Sequence, residues 1–306
     1  MRNGISRRQF IGAGSAAAAL APVMMRGAAA AETDKKAPLV CVFSKHLQFL
    51  DYEELADTCK KLALDGVDLT VRHKGHVEPE TVAEDLPRAV EAIRKRGLDV
   101  PMITTNLRSG DAPEAEAILK AASGLGIRYF RVGGHRYDPH GNPWERLDRF
   151  ADELKSLAAL AEGCDMIAGY HNHSGEGNVA GPLWDLRELL ARVGSEHLGS
   201  NFDLGHAKVE GAYGAWQVNT RLMAPYIKMM AIKDFVWVRD KPKWVPLGDG
   251  IVPAEEMLRL VRQEAGFSGP ISMHFEYRPA SDMEMVMEIR KTTLVLRELL
   301  RRAGYR

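Results

Sequence analysis

Eight short apolar segments alternate with amphipathic runs along the chain, and this alternation constrains the fold more tightly than any single residue. The segments are LVCVFS (39–44), GVDLTV (66–71), VPMITT (100–105), YFRVGG (129–134), MIAGYH (166–171), GSNFDL (199–204), KMMAIKD (228–234) and PISMHF (270–275). Between them lie runs such as DYEELADTCKKLAL, TVAEDLPRAVEAIRKRG and ERLDRFADELKSLAALAEG. These carry apolar residues at i, i+3 and i+4, the period of a helix with one buried face. Strand then helix, eight times over, predicts an α/β fold: a single (β/α)8 TIM barrel over residues 38–306. A doubly wound open sheet would carry a Gly-rich phosphate turn after an early strand, and none is present. No Pro-, Gly- or Ser-rich linker breaks the pattern, so one domain is expected.

The opening residues stand outside it. A basic segment leads into an apolar run from Phe10 to Met25 and then small residues as far as Ala31. That order reads as a cleavable export signal peptide, residues 1–31. Arg7-Arg8 followed by Gln9-Phe10-Ile11 resembles a twin-arginine signal, which exports folded proteins. A periplasmic or secreted location is therefore expected. The run falls short of the ~20 residues a membrane span needs, so no stable span is expected after cleavage. Four arginines and no acid lie ahead of Glu32, which leaves the rest of the chain acidic by four. A nucleic-acid partner normally needs a basic face, so none is expected. Three cysteines, Cys41, Cys59 and Cys164, make an odd number in apolar or helical context. They read as reduced thiols, not a disulfide framework.

In a barrel of this kind the active site lies at the C-terminal ends of the strands. Eight of ten histidines fall there: His46, His73, His76, His135, His171, His173, His206 and His274. Only His140 and His197 do not. Asp203, Asp234, Glu276, Lys45, Arg72, Arg131 and Lys233 stand at the same level. His171 and His173 point to one side, since side chains alternate along a strand. The cluster marks a polar, titratable rim. His46, His73 and His135, deepest in their loops, are expected to be structural.

The stretches GVDLTVR, YHNHSGE, NFDLGHA, AIKDF, PLGDG and GPISMHFEY, in that order, resemble the sugar phosphate isomerase/epimerase superfamily. These are the xylose-isomerase-like barrels, which include inosose dehydratases and a DNA-repair endonuclease. The chain looks like an exported subfamily with YHNHSG and HFEY motifs. The resemblance implies one divalent metal held by Glu, Asp, His and Glu from strands five to eight. The Asp maps onto Asp203, the first Glu onto His171, the His onto Ala231, and the last Glu onto His274 or Glu276. Alanine coordinates nothing, so two readings stay open. In one, a divalent ion (Zn, Mn or Co) is held by His171, Asp203, His274 and Glu276. In the other there is no metal, and Lys233 and His206 neutralise an oxyanion with a histidine or Glu276 as base.

The family's chemistry implies an isomerase or epimerase that removes the proton next to a carbonyl of a sugar or keto-sugar. His171, Lys233, His206 and Glu276 are the expected catalytic groups. Arg72, His76, His173, Glu210, Trp216 and Trp237 are expected to bind the sugar, with WVRDKPKW as a covering loop. No P-loop or cluster of arginines that would cradle a phosphate is visible, and phosphorylated sugars are mostly cytoplasmic. The expected partner is therefore a small, non-phosphorylated sugar. A keto-sugar or glycoside lyase, dehydratase or hydrolase is an alternative on the same site, and a non-catalytic sugar-binding barrel is another. Oligomeric state is not legible.

Overall fold

The computed structural model of the chain describes residues 37–306, so the expected export segment lies outside the described residues. Ten strands run β1 (Val40–Phe43), β2 (Gly66–Thr70), β3 (Asp99–Thr104), β4 (Tyr129–Arg131), β5 (Ile167–His171), β6 (Leu198–Asp203), β7 (Ile227–Ile232), β8 (Asp234–Val238), β9 (Lys241–Val245) and β10 (Ile271–Met273). The helices are α1 (Tyr52–Lys61), α2 (Val82–Lys95), α3 (Ala115–Gly124), α4 (Pro143–Gly163), α5 (Trp184–Val193), α6 (Leu204–Glu210), α7 (Ala215–Met223), α8 (Ala254–Ala265) and α9 (Asp282–Arg302). Eight strands close into a barrel in the order β1-β10-β7-β6-β5-β4-β3-β2, with the paired strands parallel. All eight expected strands are present. Among the described residues no helix is long and apolar enough to cross a membrane.

The two faces of the strands have different jobs. Val40, Val42, Val67, Leu69, Phe130, Phe202, Met230, Ile232, Ile271 and Met273 belong to the apolar layer between barrel and helices. Residues of opposite parity point inward, and many are polar: Asp68, Thr70, Thr104, His171, Asn201, Asp203 and Ser272 are all buried. The outward face stabilises the fold, and the inward face is left for chemistry. Helix starts are fixed locally. Asp51 and Glu54 close a reciprocal capping box on α1, Asn142 caps α4 ahead of Pro143, and Ser281 caps α9, as such residues do by satisfying free N–H groups.

One element differs from the sequence reading. The segment expected as a covering loop is an antiparallel hairpin, β8–β9, pairing Phe235 with Trp244 and Trp237 with Pro242. Its turn sets Arg239 at φ 59°, the left-handed region that tight hairpin turns require. The hairpin's charged and prolyl residues, Lys241, Pro242 and Lys243, hide the alternation that announces a strand.

Asp234, at the foot of the hairpin, organises the PLGDG loop. Its carboxylate accepts N–H bonds from Phe235 (2.8 Å), Gly248 (3.0 Å), Gly250 (3.1 Å) and Val252 (2.9 Å). A Cβ at Gly250 would strike that carboxylate, which is why glycine stands there. Asp234→Ala strips all four donors of their acceptor and should cost about 3–5 kcal/mol, the range for breaking a buried charged network. Urea unfolding of both proteins measures it; a loss below about 1 kcal/mol, an ordinary single bond, would show that the carboxylate does not hold the loop.

Candidate active site

The site is assembled where β5, β6 and β7 end. Asn172, just past β5, clamps β6 from its side chain: Nδ2 donates to the Asp203 carbonyl at 3.0 Å and Oδ1 accepts from the Asp203 N–H at 2.7 Å. Asp203 ends β6 and caps α6, its Oδ1 accepting from the His206 N–H at 2.8 Å. That leaves Oδ2 aimed into the mouth. The next turn carries Gly205, whose absent side chain matters: a Cβ there would lie 2.6 Å from Lys233 Cγ and 3.2 Å from Trp244.

Lys233 follows β7 and fills that space. Its Nζ lies 3.1 Å from Asp203 Oδ2, 2.7 Å from Glu276 Oε1 and 2.7 Å from His206 Nε2. Since an ammonium only donates, His206 Nε2 accepts. The His206 Nδ1–H therefore donates to Ser174 Oγ, 2.8 Å away. Trp244 closes over the group, its ring 4.9 Å from Nζ and 5.0 Å from the His206 ring, a cation–π contact in a sheltered place. Lys233, Asp203 and His206 are all buried.

His171 and His274 form the next layer. His171 Nε2 is 3.5 Å from Asp203 Oδ2, and its ring stacks on His274 at 5.4 Å and 25°. His274 in turn stacks on Phe43 at 4.8 Å and faces Asp68 Oδ2 at 3.9 Å. Asp68 is fully buried and accepts from Thr104 Oγ1 at 2.8 Å and Ser272 Oγ at 2.7 Å. Burial pushes its carboxyl up to about 6 against those bonds. Burial lowers His171 and His274 well below the ordinary imidazole value, helped by Arg131 and Lys233. His206 falls to about 4, from burial and then Lys233. Burial works to raise Glu276, but the Lys233 ammonium bonded to it overcomes that and holds the carboxyl well below its usual range. At neutral pH the mouth therefore holds neutral imidazoles and an ionised Glu276.

The expected catalytic residues His171, His206, Lys233 and Glu276 come together; their partners Ser174, Asn172 and Asp68 were not singled out as site residues, and Trp244 was expected only as an aromatic of the covering loop, beside Trp237. Asp68 had a legible signal, a carboxylate inside the apolar strand GVDLT. The expected sugar-binding residues divide. Arg72 lies over Phe43, and His173 sits 4.0 Å from the His206 ring. His76 turns back on its own strand, its N–H donating to Thr70 Oγ1 at 2.8 Å. Glu210 accepts the Gly175 N–H at 3.0 Å and so latches the loop after β5. Trp216 is a core residue, because α7 turns it inward. Trp237 is exposed and packs on Phe235, so Trp244 takes the covering role. His46 and His135 are structural as expected: His46 Nε2 accepts the Phe275 N–H, and His135 lies on Tyr170 and Glu153.

The four expected metal ligands do not form one donor group. Donor atoms of His171, Asp203 and His206 come within 4.8 Å of one another, as do those of His173, His206 and Glu276, while His274 stands apart against Asp68. Two imidazoles and a carboxylate suit Zn, Mn or Co in kind. Yet Asp203 Oδ2, His206 Nε2 and Glu276 Oε1 already converge on Lys233 Nζ. An ammonium stands at the centre of the set, and with it in place the residues do not fit a divalent ion.

The xylose isomerase-like TIM barrel family matches residues 56–299. The chain belongs to that family. No protein of curated function matches it. Among solved structures, D-psicose 3-epimerase with D-tagatose from Clostridium cellulolyticum H10 is 12% identical, with a TM-score of 0.67 over 86% of this chain and 99% of that one. The apo form of 3-keto-D-glucoside 4-epimerase from E. coli is 14% identical, with a TM-score of 0.67 over 85% and 99%. The IOLI protein, solved with a binding zinc atom, is 17% identical with a TM-score of 0.68 over 84% and 97%. At these identities the likeness establishes the shared barrel.

Six imidazoles lowered by burial make acid stability a direct test of this electrostatic picture. His46 is lowered by burial to about 3 and His206 to about 4, with His171 and His274 also lowered. A depressed histidine is protonated in the unfolded chain first, so the unfolded state binds more protons and stability falls with pH below about 6.5. Raised Asp68 and Asp185 act in the opposite sense, but they are two groups against six, since His76 and His135 are lowered as well. Melting temperature should drop steeply between about pH 6.5 and pH 4, and His206→Asn should make the drop shallower. A flat profile over that window would contradict the burial of these rings.

Proposed function

We propose that this barrel is a sugar isomerase or epimerase in which the Lys233 ammonium supplies the positive charge for proton transfer next to a carbonyl. The observation that carries this reading is the three-way hold on Lys233 Nζ by Asp203, His206 and Glu276. Glu276, its side chain 35% exposed, is the outermost of the three. A substrate carbonyl oxygen entering the mouth would take its place on Nζ. That exchange frees the carboxylate and removes the ammonium that holds its basicity down, leaving burial to raise it. Binding thus readies the base beside the carbon acid.

Glu276 then takes the proton from the carbon next to the carbonyl. The electron pair moves onto oxygen, and the Lys233 N–H stabilises the charge that develops there. Asp203 and His206 keep the ammonium aimed. His171 and His274, as they stand, do not flank the substrate: their rings are 5.4 Å apart, and a sugar ring between them needs about 7 Å, two contacts of ~3.5 Å. A two-base epimerisation would therefore pair Glu276 with His171. In the resting site neither holds a proton to deliver, which favours a one-base aldose–ketose isomerisation: Glu276 returns the proton it took to the neighbouring carbon, while the hydroxyl proton of the enediolate passes to the former carbonyl oxygen. The named activities of the two epimerases above, both on sugars or keto-sugars, support this substrate class. The Arg7-Arg8 opening supports an exported setting and a sugar without phosphate.

Proton exchange tests the reading. Keto- and aldohexoses incubated with the protein in D2O should take up deuterium next to the carbonyl, followed by NMR. Lys233→Gln should slow this by about 10²–10³, the loss seen when one oxyanion donor is removed, and Glu276→Gln, on the rim, should abolish it. Exchange that survives both changes would refute these assignments.

A further inference from the structure

A second set of charges meets the same mouth from the opposite side. Phe43 ends β1, and His274 covers one part of it. The Arg72 guanidinium lies 5.3 Å from the Phe43 ring centroid and that of Arg131 lies 5.8 Å from it. Arg131 ends β4, and Arg72 follows β2. Among the described residues neither guanidinium makes a hydrogen bond or ion pair, and neither belongs to the residues with further contacts. Both side chains are only half-buried. Each guanidinium carries five N–H donors in a planar fork. A cation–π contact explains where they lie but leaves those donors without acceptors.

Asp68 is the carboxylate that acts most strongly on both guanidinium groups, and it is already committed to Thr104 and Ser272. Asp203 and Glu276, which Arg131 also feels, are bonded to Lys233, so no carboxylate is left to bond either guanidinium. The unbonded planar forks are open to an anion that brings its own pair of oxygens. The patch is continuous with the reaction site: contacts run from Phe43 to His274 at 4.8 Å, to His171 at 5.4 Å, and on to Asp203 at 3.5 Å. The absence of an arginine cluster in the sequence is therefore corrected by the fold, since β3 alone separates β2 from β4.

We infer that Arg72 and Arg131 bind the carboxylate of a sugar acid, holding it across Phe43 while the carbonyl end of the same molecule meets Lys233. This rests on the proposed reaction at Lys233 and adds the substrate class: a uronate or keto-aldonate in preference to a neutral sugar. A planar carboxylate matches the guanidinium fork in two parallel N–H···O bonds.

Isothermal titration of the full chain with D-glucuronate, D-glucose and D-glucose 6-phosphate tests this without turnover. D-glucuronate should bind at least about tenfold more tightly than D-glucose, a modest return for charge-assisted bonds, and more tightly than the phosphate. Arg131→Gln and Arg72→Gln should each bring the glucuronate-to-glucose ratio towards one, and Arg72→Lys should keep part of it. Arg72 is the safer site if Arg131→Gln melts early. The inference is overturned if glucuronate binds no better than glucose or not at all, or if the ratio survives in both glutamine variants. Tighter binding of the phosphate overturns the carboxylate in favour of a phosphate ester. A glucuronate preference that the glutamine variants lose, with no deuterium exchange in any of the sugars, sinks the proposed reaction and leaves the anion site standing.

Discussion

The buried ammonium of Lys233 is the interaction on which the rest of the site depends. A charge taken out of water is costly unless oppositely charged and hydrogen-bonding groups surround it. Here Asp203, Glu276 and His206 do so, and two of the three are themselves fixed by something else. Asp203 is tied to Asn172 and caps α6, His206 leans on Ser174, and Trp244 seals the group beneath the β8–β9 hairpin. Gly205 is the small residue that lets lysine and tryptophan reach this place. Remove the lysine and two carboxylates face each other with nothing between them. The same balance sets the protonation of the surrounding rings, because burial and the nearby cations together keep the imidazoles neutral.

The strand pattern was readable because the outward face of every barrel strand must be apolar, and the helices answer it at their own period. Parity then told which side chains point inward, so Asp203, His171, Lys233 and Glu276 could be assigned to one rim from spacing alone. Contact could not be read. Lys233 and Glu276 stand on different strand ends, and only closure of the barrel brings them to 2.7 Å. The alanine at 231 announced that the metal pattern was altered. What replaces the metal depends on how the lysine two residues on folds over Gly205, a packing fact with no sequence signature.

Other misreadings have equally local causes. Trp216 sits in a glycine-rich stretch that looks like a sugar-lining loop, yet it lies on α7 and packs inward. Trp244 looked equivalent to Trp237, and the hairpin register separates them: Trp244 pairs with Phe235 over the site, while Trp237 pairs with Pro242 further out. Arg72 and Arg131 are distant in sequence, and only Arg72 was expected to bind the sugar, while Arg131 was read as a rim charge. Both meet on Phe43 because the barrel curves. In each case the residue type was informative, and its direction was decided by tertiary structure.

A fixed ammonium and a divalent ion do different work in a proton transfer. An ion accepts several oxygens at once and can be lost, whereas the lysine is part of the chain and offers N–H donors in set directions. Elemental analysis of the purified protein, beside Lys233→Ala, distinguishes them most directly. The wild type should hold Zn, Mn and Co far below one ion per chain and keep its activity in a chelator. Lys233→Ala, with the His171, Asp203 and His206 donors released, should take up close to one ion. One ion per wild-type chain, with activity lost on chelation and restored by the metal, would contradict the lysine-centred site.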